Sequence, residues 1–379
     1  MSTTRNSSVL LLFAALTGWA QAPRPASSAK INFPDDSPVA LVSADWGESR
    51  TEARGGALVL DLHTSLSLRN TTQQRIRGIT LLVEAQEVTP GGKGSVTVPS
   101  LDVHPGETFP IRIDLRLLRP MLAGNGPLAE IGLDGVLFED LSFYGPNRLN
   151  SRRAMTAWEL EARRDRRYFK SILEARGPDG LRQEMVDTLA RLADHPQLDV
   201  QVIRRGRATA AAARERSLDF AFLHLPGAPL EPVGGIARVA GGEARSPRIQ
   251  VVNRSERAIR YFEIGWIIKD REGREFLAGS VPASEAGLKL APGAKSEVAE
   301  EDAALRFTRE AGQPVSIESM TGFVSQVEFT DGAIWIPSRA SLLDPRVRGA
   351  LAPSPEEQRL ADLYRKKGLA ALVNELRKF

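Results

Sequence analysis

The feature that most restricts this chain is that it repeats itself. Asn70-Thr71-Thr72 leads, a few positions on, into Ile76-Arg77, and Asn253-Arg254-Ser255 leads at the same spacing into Ile259-Arg260, which is a shift of 183. Leu101-x-Val103-x-Pro105-Gly106 then matches Leu288-x-Leu290-x-Pro292-Gly293 at a shift of 187. Val136-x-Phe138-x-Asp140, followed by Phe143-Tyr144-x-Pro146-x-Arg148, matches Val327-x-Phe329-x-Asp331, followed by Ile334-Trp335-x-Pro337-x-Arg339, at a shift of 191. Three anchors in order, with a slowly growing offset, describe two copies of one domain separated by loop insertions.

Within each copy the periodicity is that of strands. Leu58, Leu60, Leu62, Leu66 and Leu68 alternate with Asp61, Ser67 and Arg69, and Phe109, Ile111, Ile113, Leu115 and Leu117 alternate with Arg112, Asp114 and Arg116. Phe262, Ile264, Trp266 and Ile268 keep the same period in the second copy. Side chains two apart share a face of a strand, so each run buries one face and wets the other. Asp270-Arg271-Glu272-Gly273 reads as a turn and Thr330-Asp331-Gly332-Ala333 as a tight hairpin. Short strands joined by Gly, Pro and Asp turns predict an antiparallel β-sandwich of immunoglobulin-like type in each copy. The antibody-type Cys-Trp-Cys core is absent, because the chain has no cysteine.

The second copy resembles the small immunoglobulin-like FxLYD domains of exported bacterial proteins, on Asn253, Ser255, Phe262, Ile264, Asp270, Gly273, Pro292 and Gly293. It departs from them where Ile267-Ile268-Lys269-Asp270 stands in place of Leu-Tyr-Asp, and the first copy has no Asp-x-x-Gly there. The resemblance covers under a third of the chain. It implies an extracytoplasmic module and no particular activity, since this architecture hosts many functions.

Residues 1–22 read as a secretory signal peptide: Arg5 precedes the apolar run Val9 to Ala20, and Ala20-Gln21-Ala22 is a small-x-small cleavage site. That run is too short to span a bilayer core of roughly 30 Å. Residues 23–36, rich in Pro and Ser, read as a disordered leader. A periplasmic or secreted location follows, and export without cysteine fits a bacterial envelope.

After Arg148 the pattern turns helical. Met155, Trp158, Ala162, Phe169 and Ile172 predict a helix over about 152–175, broken at Gly177-Pro178-Asp179-Gly180. A second helix, with Leu181, Met185, Leu189 and Leu192 inward, is expected to reach Asp194-His195-Pro196. Leu198 to Ile203 and Leu218 to Leu225 look like strands around the Ala-rich 208–213 stretch, which suggests a small α/β insert. Ser354-Pro355-x-Glu357 reads as a capping box opening an amphipathic helix on Leu360, Leu363, Leu372 and Leu376, weakened at Gly368. Each β domain is thus followed by helix. The expected organisation is mainly β with helical appendages: sandwich 37–150, helical or α/β segment 151–228, sandwich 229–341, and linker with C-terminal helix 342–379.

The net charge of +3 over 379 residues excludes a polybasic nucleic-acid binder. Residues 151–216 nevertheless hold 15 Lys/Arg against 10 Asp/Glu, densest at Arg163, Arg164, Arg166 and Arg167. These four are candidate partner-binding residues for anionic lipid heads, cell-wall polymer or nucleic acid, the last least favoured in an exported chain. The competing reading is a solvated helix face whose arginines pair with Glu159, Glu161 and Asp165 at helical spacing. Tyr144 and Trp335, at matched positions of the two copies, are candidate anchors if they face outward and core or edge cover if they do not.

No motif with a catalytic mechanism appears: no phosphate-cradling Gly-rich loop, no H-E-x-x-H and no G-x-S-x-G. Asp140 and Asp331 recur in both copies, but in hairpin turns, where Asp bonds its own backbone. Glu139-Asp140 and Glu300-Glu301-Asp302 lack the spaced oxygens of a calcium loop. Four histidines, at 63, 104, 195 and 224, give no metal spacing. The sequence therefore points to a non-enzymatic exported envelope protein without cofactor, binding an envelope protein or cell-surface polymer and not nucleic acid, with peripheral membrane contact and homo-oligomerisation left open. The alternatives are a spacer self-associating through terminal helices and a hydrolase with acids assembled between domains.

Overall fold

Alternating leucines need an apolar face to bury, and the first repeat supplies it by pairing. In the computed structural model, which describes residues 29–86, 90–121, 127–194, 197–204, 215–283, 287–299, 303–309, 312–343 and 353–379, strand Ala57–Asn70 runs antiparallel to Thr108–Pro120. Leu60 faces Leu117, Leu66 faces Ile111 and Leu68 faces Phe109. All of these side chains are buried, so this is a ladder of apolar cross-strand pairs on one face. Strands Val39–Asp45 and Arg50–Arg54 also belong to this sheet. A second sheet has the order Ala29–Asn32, Ala129–Phe138, Ile76–Glu84, Lys93–Val98, with Phe143–Tyr144 added to Ala129–Phe138. Residues 29–32, expected in a disordered leader, are thus a strand, because pairing with 129–132 satisfies their backbone.

The second repeat builds an eleven-stranded sheet system around Phe262, Ile264, Trp266, Ile268, Phe307, Met320 and Val324. The expected strands near 198–203 and 218–225 form, but not as a separate α/β insert. Gln197–Arg204 pairs antiparallel with Ala303–Thr308 and meets Glu275–Pro282 in parallel. Arg216–Asp219 pairs with Leu230–Ala240, and Ala221–Leu223 runs parallel to Ile317–Phe329. Isolated short strands leave their backbone unpaired, and here the second repeat satisfies it while Leu198 and Leu218 enter its core. The Ala-rich 208–213 stretch, the signal peptide, Glu300-Glu301-Asp302 and His195 lie outside the described residues.

The repeat holds down to individual hydrogen bonds. The Asn70 amide donates to the Gln74 carbonyl at 2.8 Å and the Val103 carbonyl at 3.3 Å, and its Oδ1 accepts from the Thr72 N–H at 3.0 Å. The Asn253 amide donates to the Arg257 carbonyl at 2.8 Å and the Leu290 carbonyl at 3.0 Å, and its Oδ1 accepts from the Ser255 N–H at 2.9 Å. Val136 pairs with Tyr144 as Val327 pairs with Trp335. The parallel pairing of Ala29–Asn32 with Ala129–Phe138 recurs in the second copy, as Ala221–Leu223 with Ile317–Phe329.

Helix Ser151–Asp194 carries non-helical backbone at Gly177, and helix Pro355–Leu376 does so at Gly368, where the sequence places its breaks. Ser354 caps the second helix by accepting the Glu357 N–H at 3.1 Å, with Pro355 in the first turn. Phe169, Leu181 and Met185 pack with Leu360, Leu372 and Leu376 in one cluster. Leu363 stays outside that cluster, half-buried.

The described residues divide into two compact units, one from those up to Arg69 with Leu81–Val96 and Thr108–Leu133, the other from Asn70–Thr80, Thr97–Glu107 and those from Asp134 to Phe379. The division passes through the first repeat, and the second unit contains helices Ser151–Asp194 and Pro355–Leu376. No helix among the described residues is long and apolar enough to cross a membrane.

Candidate functional site

The arginine-rich turn of helix Ser151–Asp194 lies in the second unit, packed against helix Pro355–Leu376. Helical spacing brings Arg163 Nε within 2.8 Å of Glu159 Oε1, and its other arm donates to the main-chain oxygen of Glu139. Arg164 holds both oxygens of Asp165, at 2.8 and 2.9 Å, and donates to the Pro337 carbonyl at 3.0 Å. Arg166, 4% exposed, donates to Glu356 Oε1 at 2.8 Å and lies 3.9 Å from the centre of the Phe379 ring. Of the four, only Arg167 is exposed, its Nε on the Arg163 carbonyl at 3.1 Å.

The expected pairing with Glu159 and Asp165 forms, through Arg163 and Arg164, while the placement of the cluster on the surface is corrected for two of its members. Arg164 and Arg166 are neither a surface patch nor a solvated face. Segments far along the chain enclose them: the Pro337 carbonyl meets Arg164, and Glu356 with Phe379 covers Arg166. Glu161, expected as an arginine partner, instead has its carboxyl pushed up to about 7 by burial, with Asp165 and Glu263 adding to the rise against Arg164. Glu357, expected to complete a capping box, turns to Arg339 at 3.0 and 3.2 Å, Thr188 at 3.1 Å and Arg191.

The network extends to residues that the spacing of charges along the helix did not suggest. Arg77, 4% exposed, donates to Asp102 at 2.8 Å and to Glu139 at 2.6 Å. That bond to Arg77 holds the Glu139 carboxyl below the usual range. Arg153 donates to Glu328 at 2.6 Å and stacks 3.5 Å from the Tyr261 ring centre. Tyr261 in turn donates to Glu263 at 2.6 Å, and burial together with that carboxylate pushes its phenol up. The recurrence of Arg77 and Arg260 in the repeat was the one available signal.

Tyr144 and Trp335 are half-buried on their short end strands. Trp335 packs against the second repeat's core, as edge cover does. Asp140 Oδ1 accepts the Ser142 N–H at 2.9 Å and Asp331 Oδ1 the Ala333 N–H at 3.1 Å. Both carboxyls sit below their usual value, Asp140 through Ser142 and Asp331 through Arg257. They are turn residues whose second oxygen meets the matching Asn turn, through Gln74 and Arg257. His63 lies 3.0 Å from Asp114 on an exposed strand face, and no group of three His, Asp or Glu fit to hold a metal occurs among the described residues. A cleft of about 220 Å³ near His224, Glu231, Arg254 and Val324 is smaller than the roughly 300–1,000 Å³ of small-molecule sites.

No protein-family model and no curated protein matches the chain. Among solved structures, a transglutaminase from red sea bream aligns at 8% identity over 76% of this chain and 31% of its own, with a TM-score of 0.13. A β-glucosidase from Kluyveromyces marxianus aligns at 9% identity over 70% of this chain and 45% of its own, also at 0.13. The chain spans less than half the length of either, and similarity at this level carries no argument about fold or function.

Proposed function

We propose that the chain is an exported binding or assembly module: two immunoglobulin-like sandwiches in tandem, each followed by a kinked helix, that recognises a protein or cell-envelope polymer without performing chemistry. The observation that carries this reading is the internal use of its charged groups. Arg77 with Glu159, Arg166 with Glu356, and Arg339 with Asp165 and Glu357 tie repeats and helices together, which suits a rigid scaffold presenting its strands and loops. Asp140 and Asp331, the recurring acids, bond to their own turns, which weighs against the hydrolase alternative. Self-association through the terminal helix is weakened as well, because Leu360, Leu372 and Leu376 are already covered by Phe169, Leu181 and Met185.

The test is capture from bacterial envelope extract by purified residues 23–379 at low salt, read by mass spectrometry and competed with untagged chain. A competed protein or glycan supports the reading. An empty capture, with hydrolysis of envelope glycans or peptides by the same preparation, overturns it.

A further inference from the structure

Resting on that reading, we propose that strand Val39–Asp45 is a docking edge for an extended polypeptide segment, apolar at its centre and basic at both ends. The strand closes its sheet, with Ala57–Asn70 as its neighbour on one side and no strand among the described residues on the other. Ala40 to Ser43 are exposed in succession, with Leu41 at 40% and Val42 at 49%. The Ser37 hydroxyl donates to the Val39 carbonyl at 2.8 Å and accepts the Val39 N–H at 3.2 Å; from Ala40 onward such an edge offers backbone donors and acceptors beside apolar side chains.

The second repeat shows what closing this edge looks like. The Ser37 N–H donates to the Pro34 carbonyl at 3.0 Å as the Ala228 N–H donates to Leu225 at 3.1 Å, and Val39 and Leu230 are both 1% exposed. That register sets Leu41 against Pro232 and Val42 against Val233. Pro232 has no N–H to offer, the pairing slips between Pro232 and Gly234, and Arg216–Asp219 covers the rest of the strand. Proline, irregular pairing and a covering strand all protect an edge from added strands. VALVSAD carries neither proline nor lysine.

Charge identifies the occupant. Asp35 and Asp36 precede the strand, Asp45 and Glu48 follow its apolar run, all four are exposed, and no Lys or Arg occurs from Phe33 to Ser49. Basic residues at both ends of an added strand meet these acids. A second copy of the chain pairing antiparallel about Val42 would set Asp36 against Glu48, which like charges oppose. In strand addition the main-chain hydrogen bonds supply affinity and the side chains supply choice of partner.

The experiment measures fluorescence anisotropy of labelled Lys-Arg-Val-Thr-Val-Thr-Val-Arg-Lys against residues 23–379, with Glu-Asp-Val-Thr-Val-Thr-Val-Asp-Glu as the comparison. The basic peptide is expected to bind at least about tenfold more tightly, and Leu41→Pro and Val42→Lys to lose that binding with unchanged melting temperature. Val42→Lys leaves the backbone intact, so it decides the matter where Leu41→Pro unfolds. Absent binding, equal binding of both peptides, or binding unchanged by Val42→Lys overturns the proposal, as does a dimer in light scattering that Val42→Lys dissociates. An envelope partner captured equally by wild type and Val42→Lys leaves the binding module standing while removing this edge from it.

Discussion

Gly177 and Gly368 adopt the same backbone conformation, φ 67° with ψ −171° and φ 79° with ψ 178°, and each breaks a helix that follows its repeat. They stand at the same offset as Val136 and Val327, so the duplication includes the helices. Tyr168 with Glu184 and Arg359 with Glu375 are matched contacts at that offset, as are the buried pairs Phe169 and Leu360, Leu181 and Leu372, Met185 and Leu376.

This equivalence is testable in the backbone alone. A Cβ at either glycine meets nothing within 4 Å, so Gly177→Ala and Gly368→Ala cost only conformational strain, about 1–3 kcal/mol each. Both variants are expected to lower the urea midpoint by similar amounts. A loss at one position and none at the other would break the equivalence.

Asn70 and Asn253 are fully buried, and each ties an Asx-type turn to a second chain segment. Truncation to Ala removes the bonds to the Val103 and Leu290 carbonyls and the acceptor of the Thr72 and Ser255 N–H groups, at about 0.5–1.5 kcal/mol per hydrogen bond. Asn70→Ala and Asn253→Ala should each lower the melting temperature. An Asp in the same place should recover part of the loss, because Oδ1 still accepts from Thr72 or Ser255.

Arg166 sits with Glu356 in a buried ion pair. Truncating Glu356 leaves buried Arg166 with Glu159 at 4.0 Å, and truncating Arg166 leaves Glu356 to Arg359; breaking a buried pair in this way costs up to about 3–5 kcal/mol. Arg166→Ala and Glu356→Ala should each be severely destabilising in thermal melts, and the double variant markedly less so than the sum of the two. Additive losses would show that the charges do not depend on each other.

Glu161 provides the pH test. Burial first, then Asp165 and Glu263, raise its carboxyl from 4.5 to about 7 in the folded chain. The folded state thus favours the protonated form. This contribution is present in full below pH 4.5 and is lost as pH rises through about 7. Glu161→Gln should stabilise the chain at pH 8 on the order of 1–3 kcal/mol and change little at pH 4.5. A shift of equal size at both pH values would locate the effect in packing instead.

What the sequence determined by itself is what short-range physics controls. Strand period, the Asn turns, the Gly-Pro break and the Ser354 cap depend on residues within a few positions of one another, so they are readable along the chain. The strands at 197–204 and 216–223 were readable for the same reason, while their sheet was not, because strand pairing is chosen by partners far away. The arginines show the limit most plainly. A guanidinium at position 166 looks solvent-exposed in any local window, and only folding places Glu356 at 2.8 Å and Phe379 across its face. The open edge at Leu41 was invisible for a related reason: whether a strand has one neighbour or two is a property of the sheet, and no residue within the strand records it.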